Sequence, residues 1–330
     1  MSEIPVRKGT HSENSPTTFE KISAIRTEIA KAVVGQDSAV TAILIGLLTD
    51  GHILLEGVPG TAKTLLVKAL ARAVNLDMKR IQFTPDLMPG DLTGSLVYNS
   101  ASGDFTFRPG PIFTNILLAD EINRTPPKTQ SALLEAMAEK QVTVDGEPRL
   151  LISPFIVVAT QNPIEYEGTY TLPEAQLDRF LLKVNLDLPD PDAELQILQR
   201  HCQEFDPADL DSAGISPVAA AADIFAARGE VRNVEIHDEV LAYIVQIVAA
   251  TRTSPATILG VSPRGSVALL NVVRAWAWLN GRSYVNPDDV KALAPATLTH
   301  RIKLSPEAEL DGLTAHSVIK SILDIVPVPR

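Results

Sequence analysis

The sequence has little cysteine and no long apolar run, and each shortage excludes a class of protein. Cys202 is the only cysteine, so the chain can form no internal disulfide and no cysteine-based metal site. The apolar run at residues 39–48 contains Thr41 and Gly46 and has about half the length needed to cross a bilayer. The polar N-terminus has no signal-peptide pattern. These absences predict a cytoplasmic protein without a membrane span.

Positive charge is also scarce. The chain has 29 Lys and Arg against 40 Asp and Glu, which gives a formal net charge of -11. This balance disfavours a sequence-independent grip on nucleic acid, although a local basic patch is still compatible with it. The length of 330 residues is enough for two domains that each bury a core.

Composition and periodicity divide the chain into three parts. Residues 1–18 are rich in Ser, Thr, Pro and charge, which predicts a flexible tail. Residues 19–187 contain short apolar segments separated by helical or loop material, and this alternation is typical of a parallel sheet covered on both faces. The five predicted strands lie at residues 52–56, 79–83, 116–119, 155–160 and 180–186. The fold class is therefore α/β, with a five-stranded core.

Two further segments complete the predicted architecture. Between the second and third strands, residues 87–113 contain two short β-prone runs around a Gly-containing turn, which predicts a hairpin that projects from the core. Beyond Pro189 and Pro191 the pattern is helical throughout. Helices are predicted at residues 193–204, 215–229, 238–251, 263–281 and 287–300. Residues 188–330 are thus predicted to form an all-α lid domain.

The first chemical motif follows the first strand. Residues 57–64 read GVPGTAKT, a phosphate-binding loop (P-loop) pattern in which Ala62 stands where the last glycine is usual. Backbone N–H groups of such a loop surround a phosphate, Lys63 supplies positive charge, and Thr64 supplies a metal-ligating hydroxyl. The substitution matters little if residue 62 is already helical. The residues assigned to the nucleotide here are Gly57, Val58, Pro59, Gly60, Thr61, Ala62, Lys63, Thr64 and Leu65.

The third strand delivers two acids at its carboxyl end, where open α/β sheets bind ligands. Asp120 is predicted to hold Mg²⁺ and Glu121 to polarise the attacking water. Phosphoryl transfer requires positioning and charge stabilisation more than covalent chemistry. A P-loop, a metal and two carboxylates therefore predict ATP hydrolysis, with ATP and Mg²⁺ as ligands.

An amide and two arginines complete the candidate site. Asn162 ends the fourth strand and is predicted to hold the attacking water, although Asn before Pro163 is also an ordinary turn signal. Arg179 precedes the fifth strand and is predicted to act across a subunit interface as an arginine finger. Arg264 stands in the first turn of a lid helix, facing phosphates from the lid side. Either arginine could instead form a structural ion pair.

Taken together, these segments resemble the MoxR family of AAA+ ATPases from about Lys21 to the C-terminal region. The resemblance rests on an ordered series of short sequences, which is more specific than any single motif. They are VGQ at 34–36, GVPGTAKT at 57–64, QFTPDLMPGD at 82–91, DEINR at 120–124, EAM at 135–137, ATQNP at 159–163, EAQLDRF at 174–180 and SPR at 262–264. Alanine in the last P-loop glycine position is itself similar to the family pattern.

The resemblance implies a ring-forming ATPase, commonly hexameric, that acts as a chaperone-like remodeller of partner proteins. It further implies that Val34, Gly35 and Gln36 lie near the adenine, that residues 87–113 sit towards the pore, and that Arg179 acts on the neighbouring subunit's nucleotide. Whether Arg264 acts in cis or in trans stays open, and Arg124 is a second candidate between subunits. Family members often work beside a von Willebrand factor A-domain protein, which here would come from another chain.

Three other functions share part of this pattern. A DNA helicase or loader of the AAA+ type would use the same nucleotide residues, but the net acidity makes nucleic acid an unfavourable partner. A P-loop kinase of small molecules has less need of Asn162, Arg179 and a long helical domain. A nucleotide-dependent scaffold that barely hydrolyses ATP is the third alternative.

Overall fold

The computed structural model describes residues 16–58, 60–100, 103–162, 169–202, 206, 209–210 and 213–329. Most of the predicted flexible tail, residues 1–15, lies outside the described part of the chain. Its last residues belong to the first helix, because the Thr17 side chain accepts a hydrogen bond from the Glu20 N–H as a helix cap.

The described residues between 18 and 186 form an α/β core. Its helices are α1 Thr18–Ala30, α2 Asp37–Thr49, α3 Lys63–Ala73, α4 Pro89–Thr93, α5 Pro127–Glu139 and α6 Glu174–Leu177. Its strands are β1 His52–Gly57, β2 Met78–Gln82, β3 Gly94–Asn99, β4 Asp104–Pro109, β5 Ile116–Asp120, β6 Gln141–Val144, β7 Glu147–Leu150, β8 Ile156–Gln161 and β9 Phe180–Leu186. The five predicted core strands are all present.

These five strands form one parallel sheet in the order β2-β5-β8-β1-β9. All five residues of β5 are buried, because helices cover both faces of the sheet. Alternate side chains of β5 and β8 enter two hydrophobic clusters on opposite faces: Leu118 and Val158 in one, Leu117 and Val157 in the other. The predicted fold class is confirmed.

Two hairpins leave the core. The predicted one, β3 and β4, pairs antiparallel from Gly94↔Pro109 to Asn99↔Asp104. A second, formed by β6 and β7 around Asp145 and Gly146, was not expected from the sequence. Both turn residues have positive φ, 53° and 80°, as a type I′ turn requires. The Asp-Gly pair was therefore an available signal.

The lid follows from residue 191. Its elements are α7 Pro191–Cys202, α8 Ala221–Arg232, α9 Asp238–Thr253, β10 Thr257–Leu259, α10 Pro263–Leu279, α11 Pro287–Leu298, β11 Lys303–Leu304, α12 Pro306–Leu310 and α13 Ala315–Ile325. Besides its helices, the described part of the lid contains the short antiparallel pair β10–β11, which the helical pattern did not predict. The helix expected at residues 215–229 begins only at Ala221.

Core and lid share one hydrophobic cluster. Helix α8 packs against α1 and α2, and the buried Arg228 of α8 donates a hydrogen bond to the Leu47 carbonyl at 2.7 Å. Lys21 of α1 forms an ion pair with Asp223 of α8 at 2.7 Å. Lid helix α8 thus packs on the core helices, and lid helix α11 packs against β9. Among the described residues, no helix combines the length and apolarity needed to cross a bilayer.

Candidate nucleotide site

A cleft of about 660 Å³ lies at the carboxyl ends of the central strands, between the core and the first lid helix. This is where parallel α/β sheets bind ligands. The predicted residues that line it are Val34, Gly60, Thr61, Ala62, Lys63, Thr64, Leu65, Asp120, Glu121 and Asn162. Residues that line it without having been predicted are Ala32, Val33, Lys68, Arg80, Gln82, Ile197, Arg200 and His201.

The phosphate-binding loop connects β1 to α3. Gly57 packs directly against the neighbouring strand, since a Cβ there would lie 2.7 Å from the Leu186 carbonyl oxygen. The Lys63 Nζ donates hydrogen bonds to the carbonyls of Gly57 at 2.5 Å and Val58 at 3.2 Å. Burial lowers the Lys63 pKa, while Asp120 and Glu121 act in the opposite direction. The ammonium is therefore held over the loop, beside both acids. Pro59 lies outside the described residues.

Ala62 does not adopt the helical conformation on which its substitution for glycine was expected to depend. It precedes α3 with φ 57° and ψ 21°, in the left-handed region. A residue with a Cβ is strained there by roughly 1–2 kcal/mol, whereas glycine is not. The condition for a harmless substitution is therefore not met, because the chain passes through a left-handed conformation just before Lys63, the first residue of α3.

The two acids at the end of β5 have distinct surroundings. Asp120 is 8% exposed, and its Oδ1 accepts a hydrogen bond from the Thr160 hydroxyl at 2.6 Å. The same hydroxyl oxygen accepts the Glu121 N–H at 2.9 Å. Glu121 has φ 57°, so the chain reverses immediately after Asp120. Thr160 of β8 thereby fixes both acidic residues at the floor of the cleft.

Three side chains that the sequence analysis did not assign to this role contact the acids. Arg80 of β2 donates to Asp120 Oδ2 from Nε at 2.9 Å and from Nη2 at 2.7 Å. Gln82 donates to Glu121 Oε2 at 2.6 Å, and Arg124 donates to the same oxygen at 3.1 Å. Arg80 and Gln82 are two residues apart in a strand and so share a face. That spacing was the available signal.

Asn162 lies beside these acids and is 5% exposed. It follows β8, the strand between β5 and β1, and its carbonyl accepts a hydrogen bond from Asn123 Nδ2 at 3.4 Å. The structure therefore brings the predicted amide to the same cleft as Glu121.

Of the three residues expected near the adenine, only Val34 lines the cleft. Gly35 has φ 73° and packs against Ala193 at the start of the lid. The buried Gln36 donates to the Asp187 carbonyl at 3.4 Å. Gly35 and Gln36 thus hold this segment against the connection between core and lid.

Neither predicted arginine lines the cleft of its own chain. Arg179 donates to the Leu134 carbonyl at 2.7 Å and precedes Phe180, which pairs with His52 at the amino end of β1. Arg264 is exposed. Burial, and to a smaller extent the Arg264 charge, lower the pKa of Arg301, and Arg301 bonds to Asp178 at 2.7 Å. Both arginines therefore lie towards the amino ends of the strands.

The length of β1 separates these arginines from the phosphate-binding loop. His52 and Gly57 stand at opposite ends of this strand, about 16 Å apart at the usual rise per residue. An arginine side chain at the amino end cannot span that distance to the nucleotide of its own chain.

Comparisons with known proteins agree with this geometry. Residues 52–182 match the family described as ATPase family associated with various cellular activities, and residues 249–322 match the AAA lid domain. "Uncharacterized protein YeaC" from Bacillus subtilis is 51% identical, with 91% of this chain and 92% of that protein covered. "Chaperone MoxR1" from Mycobacterium tuberculosis is 41% identical, with 92% and 81% covered.

A solved structure has the same fold. A crystal structure from Cytophaga hutchinsonii superposes with a TM-score of 0.87 at 43% identity, and the match covers 95% of this chain and 96% of that one. The agreement therefore extends over core and lid together.

Proposed function

The chain belongs to the MoxR family of AAA+ ATPases, and we propose that it hydrolyses ATP in a ring of identical subunits to remodel partner proteins. The observation that carries the proposal is the cleft itself. It brings Lys63, Thr64, Asp120, Glu121 and Asn162 together at the carboxyl ends of three adjacent strands. Membership in this family disfavours the small-molecule kinase.

The loop and Lys63 bind the phosphates. Backbone N–H groups at the start of α3 point at the anion, and the helix dipole favours negative charge there. Lys63 now donates to two loop carbonyls, and it turns to the phosphate oxygens when ATP enters. Val34 and Ile197 give the apolar wall against which the base packs.

Thr64 and Asp120 are the candidate metal ligands. Among the described residues, no group of three or more His, Cys, Asp or Glu side chains is arranged to hold a metal ion. One hydroxyl and one carboxylate suit Mg²⁺, which keeps several waters and takes its remaining ligands from phosphates. When bound, Mg²⁺ neutralises charge on the phosphate oxygens.

Glu121 is the proposed base. It accepts a proton from the water that attacks the γ-phosphorus, the bond to the bridging oxygen breaks, and ADP and phosphate leave. Gln82 holds the Glu121 carboxylate by a hydrogen bond of 2.6 Å. Asn162 lies beside it and orients the water without adding charge.

Arg179 and Arg264 are proposed to act in trans. Both lie too far from their own cleft, so they complete a site only where a neighbouring subunit presents its phosphate-binding loop to them. A head-to-tail contact of this kind forms a ring when the rotation between subunits closes. We propose a hexamer, with hydrolysis slow in the free subunit.

The β3–β4 hairpin is the proposed contact with protein clients. Tyr98 and Phe105 are 57% and 66% exposed and lie 5.3 Å apart between ring centroids. Phe107 instead packs under Arg149 of the second hairpin, 3.9 Å from the ring centroid. The hairpin therefore has both an anchored residue and an exposed aromatic pair. A von Willebrand factor A-domain protein from another chain is one proposed partner.

Replacing Glu121 with Gln tests the ATPase assignment. The variant should bind ATP as the wild type does but hydrolyse it at least roughly 100-fold more slowly. The amide has the shape of the carboxylate but cannot act as a base. Phosphate release and binding of a fluorescent ATP analogue are the measurements. Glu139→Gln, an exposed position at the end of α5, is the matched control and should hydrolyse ATP normally. An unchanged rate in Glu121→Gln would overturn the assignment.

The same variant tests the remodelling proposal. The Glu121→Gln variant stays in its ATP-bound form and should therefore retain bound client proteins. Double variants that combine Glu121→Gln with Tyr98→Ser or with Phe105→Ser should release them. Capture of DNA with a steep salt dependence would instead favour the helicase or loader function.

A further inference from the structure

Asp120 already has a cationic partner in this structure. The Arg80 guanidinium donates to Oδ2 twice, from Nε at 2.9 Å and from Nη2 at 2.7 Å. The Thr160 hydroxyl donates to Oδ1 at 2.6 Å. Both carboxylate oxygens are therefore engaged, and the stronger, charged contact is on the side of β2.

The ion pair between Arg80 and Asp120 contributes little to the stability of the fold. The Arg80 side chain is half exposed, and an ion pair with one solvated partner contributes little to folding. Asp120, by contrast, is 8% exposed, and a buried carboxylate is unfavourable without positive charge nearby. In the proposed function that charge comes from the metal. Arg80 supplies it here.

We propose that Arg80 is a resident counter-ion that substitutes for Mg²⁺ at Asp120 and sets the Mg²⁺ concentration at which nucleotide binds. This inference rests on the proposed role of Asp120 as a metal ligand. Two positive groups at one carboxylate repel each other. Arg80 must therefore withdraw from Asp120, or weaken its hold, as the metal site fills.

The Arg80 side chain is connected to the proposed base, Glu121, through the side-chain amide of Gln82. Arg80 Nη2 also donates to Gln82 Oε1 at 3.0 Å, and Gln82 Nε2 donates to Glu121 Oε2 at 2.6 Å. Withdrawal of Arg80 from Asp120 removes one of the contacts that fix Gln82. Arg80 is thus a positioning residue that couples the filling of the metal site to the freedom of Glu121.

The test is a Mg²⁺ titration of nucleotide binding to the full chain, followed with a fluorescent ATP analogue. In Arg80→Ala, the Mg²⁺ concentration at half-maximal binding should fall roughly tenfold, since the competing charge is gone. Binding without Mg²⁺ should weaken, because the phosphates lose a cation in the cleft. Arg80→Lys keeps the charge and should restore a midpoint near that of the wild type.

Lys68→Ala is the matched control. Lys68 is an exposed cation of the same cleft and, in the described part of the chain, forms no ion pair with Asp120. Its loss should weaken nucleotide binding to a similar degree with and without Mg²⁺, and so leave the midpoint unchanged.

A wild-type midpoint in Arg80→Ala, or the same fall in Lys68→Ala, would overturn the inference. Circular dichroism checks that each variant is folded, and Arg80→Gln replaces Arg80→Ala if the shorter side chain disrupts β2. A wild-type chain that binds no nucleotide at any Mg²⁺ concentration would reject the proposed function instead.

Discussion

At the scale of single residues, the cleft contains two left-handed backbone positions outside glycine. Ala62 and Glu121 both have φ 57°, and each stands where the chain turns from a strand into a helical segment. Such conformations persist only where the surrounding structure enforces them, and they cluster at functional sites. Ala62 directly precedes the first residue of α3. At Glu121, the Thr160 hydroxyl oxygen accepts a hydrogen bond from the backbone N–H.

The strain at Ala62 leads to a prediction about stability. Ala62→Gly should raise the free energy of unfolding by about 1 kcal/mol, because glycine adopts positive φ without a clash. Chemical denaturation of both proteins measures the difference. Ala71→Gly, in the interior of α3, should lower the same quantity by about 1 kcal/mol or more. If Ala62→Gly is less stable than the wild type, the left-handed conformation is not strained in solution.

At the scale of elements, a buried histidine ties strand β1 to the neighbouring strand β8 and to helix α5. His52 of β1 is 4% exposed, and its Nδ1 accepts the Val157 N–H of β8 at 3.0 Å. Its Nε2, which must then carry the proton, donates to the Met137 carbonyl of α5 at 3.1 Å. Burial lowers the His52 pKa to about 4. The neutral ring is thus required for this junction.

This junction predicts acid sensitivity. The unfolded chain binds a proton at His52 below about pH 6.5, whereas the folded chain does so only near pH 4. Stability should therefore fall as pH drops from 6.5 to 4, by up to about 1.4 kcal/mol per pH unit for this group. Between pH 4 and 6.5, the free energy of unfolding should change less steeply with pH in His52→Gln than in the wild type. The exposed His316→Gln should keep the wild-type slope.

At the scale of the whole molecule, the two ends of the sheet have different chemistry. The carboxyl ends carry the nucleotide cleft, and the amino ends carry Arg179, with Arg264 close by. Core and lid share a hydrophobic cluster, so these two surfaces are held at a fixed separation within one chain. In the proposed function, a complete site therefore needs two copies, one of which presents its cleft and the other its two arginines.

Mixing two inactive variants tests this arrangement. Lys63→Ala removes the phosphate-binding charge and Arg179→Ala removes the proposed finger, so each protein alone should lose most ATPase activity, roughly 1,000-fold for the finger. In an equal mixture, roughly a quarter of head-to-tail interfaces join an intact cleft to an intact Arg179. Activity should reappear to that extent. Arg179→Ala mixed with the double variant Lys63→Ala/Arg179→Ala is the control, which contains no intact Arg179 and should stay inactive. Recovery in this control as well, or in neither mixture, would contradict action in trans.

Local sequence was sufficient for most of the elements and for the main parts of the cleft. The five core strands, the β3–β4 hairpin and the phosphate-binding loop follow from apolar period, turn chemistry and a short motif, which depend on neighbours along the chain. Asp120, Glu121 and Asn162 could be placed together because carboxyl ends of parallel strands meet at one edge. The Asp145-Gly146 turn was equally local and was missed.

The contacts between strands were decided by the tertiary structure. Arg80 meets Asp120 because β2 lies beside β5 in the sheet order, and no pattern within β2 specifies which strand is its neighbour. The sequence by itself determined a P-loop ATPase fold and its acids. Only the packing of distant segments determined which charges those acids meet, and that Arg264 of the lid lies beside the amino ends of the strands.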